Sequence, residues 1–172
     1  SWGVDSLTLS NRTVALGEKE FRLTVTNNLL VRNGASLVLS GVPLASIASL
    51  ATGGTGTNPW LRVGNNLTVN GGYLLLGGRE QNSHTRLSVG GALTLTNGGQ
   101  LVVYSGNTNS TYTNGALVTI TGNMTIASGS WFKPLAQPTN GGTQLLTVSN
   151  LTIRAGGGID ASAGGYKSYG TA

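Results

Sequence analysis

The densest cluster of titratable side chains in this 172-residue chain is REQNSHTR, which holds Arg79, Glu80, His84 and Arg86. A carboxylate beside an imidazole can exchange protons near neutral pH, so the cluster has the elements of an acid/base pair. The rest of the chain offers it little help. Its only acids are Asp5, Glu18, Glu20, Glu80 and Asp160. Cleavage of a glycosidic bond generally takes two carboxylates a few ångströms apart, and a lyase takes acids that hold calcium beside a base. REQNSHTR therefore reads as a solvated loop, and no catalytic residue is assigned.

Metal and cofactor chemistry is equally sparse. The chain has no cysteine, which excludes disulfides and thiolate metal sites. GGGID at 156–160 is the one glycine–aspartate stretch with a calcium-like look, but such sites work in tandem and this one stands alone. No metal and no cofactor is expected. Four aromatics, Trp60, Tyr104, Tyr112 and Trp131, lie in or beside glycine- and asparagine-rich segments, where they can stack on sugar rings or fold down as lids. Trp131 precedes an apolar Phe132 and is the best candidate for an outward-pointing ring. Sequons occur at Asn11, Asn66, Asn109, Asn123 and Asn150, and Asn109 is expected to be the most accessible.

Composition narrows the class further. Charged residues make up 9% of the chain, against about 25% in an average soluble domain. The 38% hydrophobic content is enough to drive folding, and the length suits one domain. Ten basic against five acidic residues give a net charge of +5, but the cations are scattered from Arg12 to Lys167. A phosphate-binding surface needs concentrated positive charge, so nucleic acid is not the expected partner. No apolar run approaches the roughly 18 residues of a membrane span, and no leader-like segment opens the chain, so membrane insertion is not expected.

The elements that would position any site come from an internal repeat. Five segments share one frame: LTVTNNLLVRNGASLVL (23–39), LRVGNNLTVNGGYLLLG (61–77), LSVGGALTLTNGGQLVV (87–103), VTITGNMTIASGSWFKP (118–134) and LTVSNLTIRAGGGIDA (146–161). Each contains two apolar-x-apolar triplets, then a glycine (Gly34, Gly72, Gly98, Gly129, Gly156), then an apolar residue (Leu37, Leu75, Leu101, Phe132, Ile159). Alternation means strands, so Leu23, Val25, Leu29, Val31, Leu37 and Leu39 should face a core while Thr24, Leu30 and Val38 face out. One copy cannot bury its own apolar face, but stacked copies can. Val69, Leu95, Ile126 and Ile153 should then pile in one column.

Turn chemistry fits that frame. The glycines supply positive φ, and Asn28, Asn66, Asn123 and Asn150, each ahead of a second strand, can form a ladder broken at Ala92. Asparagine there would also tolerate the left-handed region. Extra residues fall after the third strand, at 40–60, 78–85, 104–116 and 135–144, and should emerge from one edge.

A three-strand repeat with constant turns and one variable loop resembles the right-handed parallel β-helix of pectate-lyase-like proteins and of filamentous haemagglutinin and autotransporter adhesins. The resemblance implies an all-β, three-strand β-solenoid of about five to six coils. Residues 1–21 would form an irregular first coil or cap, 22–161 the repeat coils, and 162–172 a frayed tail or linker. It also implies the handedness, and roles in adhesion, fibre structure, or binding and cleavage of acidic polysaccharides. In the enzymes of that group the working groups sit outward on the strand after the variable loop, here Thr24, Arg62, Ser88, Thr119 and Thr147, none of them a carboxylate. The expectation is a non-catalytic structural or adhesive segment, secreted or at a cell surface. Its expected partners are glycans or further copies stacked end to end. A module that binds or cleaves acidic polysaccharide is the alternative.

Overall fold

The computed structural model describes residues 1–16, 21–40, 59–77, 85–106, 108, 110, 113–136 and 142–162. Among them the chain is all-β, sixteen strands with no helix. The reason is local: Val, Ile, Leu and Thr alternate over four or five residues between Gly- and Asn-rich corners, a period that suits a pleated strand.

Numbered in chain order, the strands fall into three series. The first is β1 (Trp2–Val4), β4 (Arg22–Val25), β7 (Trp60–Val63), β10 (Thr85–Val89) and the leading parts of β13 (Ala116–Ile126) and β15 (Gln144–Ile153). The second is β2 (Leu7–Ser10), β5 (Leu29–Arg32), β8 (Leu67–Asn70), β11 (Leu93–Thr96) and the trailing parts of β13 and β15. The third is β3 (Thr13–Leu16), β6 (Ser36–Leu39), β9 (Tyr73–Leu76), β12 (Gln100–Tyr104), β14 (Trp131–Leu135) and β16 (Gly158–Ile159). Each strand pairs in parallel with the next of its own series. The first two series share a ten-stranded sheet because β13 and β15 run through both, and the third forms a six-stranded sheet.

The registers pile like residues into columns. Val31 pairs with Val69, Val69 with Leu95, Leu95 with Ile126, and Ile126 with Ile153. Leu23, Leu61, Leu87 and Val118 form a second column, and Leu37, Leu74, Leu101 and Phe132 a third. All belong to one continuous core except Ile153, which stands 45% exposed on the last strand of its series. Each buried Leu or Val contributes about 1.5–3 kcal/mol relative to exposure.

The columns correct the sequence frame in one place. In the second copy the aligned residues are Gly71 and Leu74, not Gly72 and Leu75. That corner is one residue shorter than its neighbours, so Gly71 alone takes the left-handed conformation (φ +62°), whereas Asn33 and Gly34 share it in the copy before. Leu75 therefore points away from the main core. It joins Val38 and Val102 in a separate outer cluster flanked by Ala15, Tyr73, Tyr104 and Leu135. Val38 faces away from the main core as expected, yet it is only 2% exposed.

Residues 1–16 are more regular than an irregular cap: β1, β2 and β3 pair in frame with β4, β5 and β6. The asparagine ladder forms in two pieces around Ala92. Asn66 donates its side-chain N–H to Asn28 Oδ1 (3.3 Å), Ala92 N–H donates to Asn66 Oδ1 (2.9 Å), and Asn150 donates to Asn123 Oδ1 (2.9 Å). Further rungs unite Asn65, Asn27 and Asp5, and join Asn97 to Asn70. The left-handed asparagines are Asn11, Asn33 and Asn97, in the second corner, and not Asn28, Asn66, Asn123 or Asn150. A ladder rung needs its amide pointing along the stack, a demand separate from positive φ.

Close stacking excludes side chains at some corners. A Cβ at Gly90 would lie 2.1 Å from the Gly64 carbonyl oxygen. Gly90→Ala should therefore destabilise the protein by about 1–3 kcal/mol. Leu95→Ala, which empties one layer of the core, should cost about 2–5 kcal/mol, and the outward Thr119→Ala should stay within about 0.5 kcal/mol. Denaturant unfolding of the three variants measures all of these.

Candidate functional site

Among the described residues, the outer face of the first series carries a grouping of cationic, aromatic and hydroxyl side chains that the fold assembles from distant sequence. Register places Arg22, Trp60, Arg86, Leu117 and Leu145 in one column. Two residues further along the strands, Thr24, Arg62, Ser88, Thr119 and Thr147 form the next outward column. Neighbouring strands lie about 4.8 Å apart, so Arg22 and Arg86 bracket Trp60 from the strands on either side. Their guanidinium carbons stand 5.1 and 5.8 Å from its ring centroid. Planar guanidinium groups stack on an indole face through its negative quadrupole.

This arrangement changes what Trp60 can do. Guanidinium groups approach its ring from both neighbouring strands, so a sugar ring meets arginine before it meets the indole face. The site offers instead three cations, Arg22, Arg62 and Arg86, beside a row of hydroxyls from Thr24, Ser88, Thr119 and Thr147. Such a face suits a ligand that carries negative charge and hydroxyl groups. The sequence did hold the signal. Arg22, Trp60 and Arg86 each stand one residue ahead of the first inward leucine of their copy, and equal offsets become neighbours once copies stack.

The other aromatics take different places. Trp131 is 36% exposed and outward, and it lies against the next strand so closely that a Cβ at Gly158 would fall 2.6 Å from its ring. Two residues on, Lys133 Nζ lies 3.9 Å from Asp160 Oδ2, the one ion pair among the described residues. Ser162 donates hydrogen bonds to the Asp160 carboxylate, and these, more than Lys133, hold its pKa below the ordinary value. Tyr104 is half-buried against the outer cluster, and its carbonyl accepts a 2.7 Å hydrogen bond from the Thr85 hydroxyl. Burial there, with a smaller effect of Tyr104, pushes the Tyr73 phenol above its usual range. Tyr112, Arg79, Glu80, His84 and Asn109 lie outside the described residues, as do 41–58, 78–84 and parts of the loops at 104–116 and 135–144.

The outward column of Thr24, Arg62, Ser88, Thr119 and Thr147 contains no carboxylate. Among the described residues no group of three or more His, Cys, Asp or Glu side chains could hold a metal ion, and no helix is long and apolar enough to cross a membrane. No family model matches the chain, and no curated protein or solved structure matches it.

Two measurements check this geometry. Arg22→Ala should cost about 0.5–1 kcal/mol of stability and make Trp60 more accessible to a fluorescence quencher. Because the folded state holds Tyr73 protonated to higher pH than the unfolded chain does, the unfolded phenol deprotonates first. Stability contributed by Tyr73 is thus complete below pH 10 and declines above it, and Tyr73→Phe should flatten that part of the pH–stability curve.

Proposed function

We propose that the chain is a β-solenoid, a right-handed parallel β-helix with three strands to a coil, acting as a non-catalytic structural or adhesive segment of a secreted or surface-exposed protein. The supporting observation is the parallel pairing that runs from Trp2–Val4 to the Gln144–Ile153 strand, with a one-residue shift between Ile120 and Asn123 at the last step. A stack of this kind builds length at low sequence complexity and keeps a sparsely charged, hydroxyl-rich exterior, which are the needs of a stalk or fibre. The missing carboxylates on the outward column of the first series weigh against catalysis.

A second reading has its own support. The Arg22, Arg62 and Arg86 cluster around Trp60 favours binding of an acidic glycan to that face, which an adhesive segment can also use. Binding there needs charge and hydrogen bonds rather than ring stacking, since the indole is already flanked by guanidinium groups.

Spin labels at Thr24→Cys and Thr147→Cys test the architecture: four layers of about 4.8 Å put the two backbone positions on the order of 20 Å apart, and a far larger separation would refute the stack. A screen on polyuronates should show no cleavage. Turnover abolished by Glu80→Gln or His84→Ala would instead establish an enzyme. On a glycan array, binding to uronate- or sulfate-bearing glycans that weakens at least about tenfold in Arg62→Ala and fades with added salt would support the second reading.

A further inference from the structure

Trp60 opens its strand, and the main chain fixes it from both sides. Its N–H donates to the Phe21 carbonyl (3.1 Å), and Arg86 N–H donates to the carbonyl of Pro59 (3.0 Å). Arg22 and Arg86 are its partners in register on the two neighbouring strands. Partners in register point to the same side of a sheet, so all three stand on the outer face. Two strand spacings put the backbones of Arg22 and Arg86 about 10 Å apart. Arg62 follows Trp60 by two residues on the same face, and both Arg22 and Arg62 are exposed.

Among the described residues nothing neutralises these three cations. The described acids are Asp5 and Asp160. Asp5 accepts hydrogen bonds from Ser6 and Asn27, while Asp160 accepts from Ser162 and pairs with Lys133. Crowded like charges without a counter-ion oppose folding, and they favour an incoming anion.

The indole sets how two of the arginines meet that anion. An arginine lying on an aromatic ring keeps its planar fork fixed, with its N–H groups still able to reach an oxyanion. An unsupported arginine must give up its side-chain freedom on binding, whereas one already stacked gives up less. Both guanidinium carbons lie within 6 Å of the same ring centre, at 5.1 and 5.8 Å, so one residue orders two cations. Leu117, the next residue in the column, has no ring to offer Arg86 on its other side.

We propose that Trp60 is the positioning residue of this face, holding Arg22 and Arg86 ready for the oxyanions of a glycan, carried as sulfate esters or carboxylates. The proposal rests on the acidic-glycan reading given above, and it gives the indole a part other than stacking on sugar. A nucleic acid would use the ring differently, because a base stacks on an open aromatic face. Here guanidinium groups lie against it. The hydroxyls of Thr24, Ser88, Thr119 and Thr147 beside the cations suit a sugar chain, since each both donates and accepts.

The test is titration of the full 172-residue chain at low salt with dextran sulfate, polygalacturonate and a single-stranded oligonucleotide. At least one glycan should bind, and more tightly than the oligonucleotide. Trp60→Leu keeps an apolar side chain but removes the ring, and should weaken glycan binding at least about fivefold. Trp60→Met serves as a second non-aromatic variant, and denaturant midpoints establish which variants are folded. Trp60→Tyr restores an aromatic face and should bind within about twofold of the unaltered chain. Trp60→Leu combined with Arg22→Ala should lose less than the two single losses together, because both remove one contact; combined with Arg62→Ala the losses should add. A merely structural tryptophan would show no such coupling. A folded non-aromatic variant that binds as tightly as the unaltered chain overturns the proposal and leaves the acidic-glycan reading standing. No binding to either glycan, or tighter binding of the oligonucleotide, overturns both.

Discussion

Everything in this molecule depends on main-chain hydrogen bonds that tie each strand to its counterpart one repeat later. Parallel pairing brings residues at equal offsets side by side, so a side chain's neighbours are its equivalents in the copies before and after. The apolar columns, the asparagine rungs and the Arg22–Trp60–Arg86 stack are three outcomes of that one constraint. With successive layers in register, the alternate strand positions that carry Leu, Val and Ile stack into columns that face inward, away from water.

The constraint also explains where variation is tolerated. Insertions sit between the third series and the first, outside the paired strands, while corners inside the ladder vary by a single residue. The shortened corner at Gly71 shifts Leu74 into the core and sends Leu75 to the outer cluster, yet the strands on either side remain in register. Backbone approach limits the corners more strictly than side-chain volume does, as the contact between Gly90 and the Gly64 carbonyl illustrates. The cationic face can be added to the stacked strands without disturbing the core, because alternate strand positions point outward.

Much of this was legible in sequence. Alternation of Leu and Val at Leu23, Val25, Leu29 and Val31 specified which face is buried, since a strand has a period of two and water rejects the apolar side. The column of Val69, Leu95, Ile126 and Ile153, and the ladder interrupted at Ala92, follow from the same spacing. Gly72 and Leu75 went astray because a one-residue deletion inside a glycine pair leaves the local pattern almost unchanged. Only pairing partners reveal which glycine takes positive φ. Arg22 and Arg86 were not linked to Trp60 because they lie far from it along the chain.

The amino-acid sequence by itself determined the strand class, the inward and outward faces, the repeat, and the poverty of acids and cysteines. Those properties depend on residue type and on spacing within a few residues, both visible in one dimension. Tertiary structure alone decided the register between copies, the outer burial of Val38, Leu75 and Val102, and the meeting of Arg22 and Arg86 across Trp60. Each depends on which layer lies beside which, and corner length and main-chain hydrogen bonding set that over distances no local pattern spans.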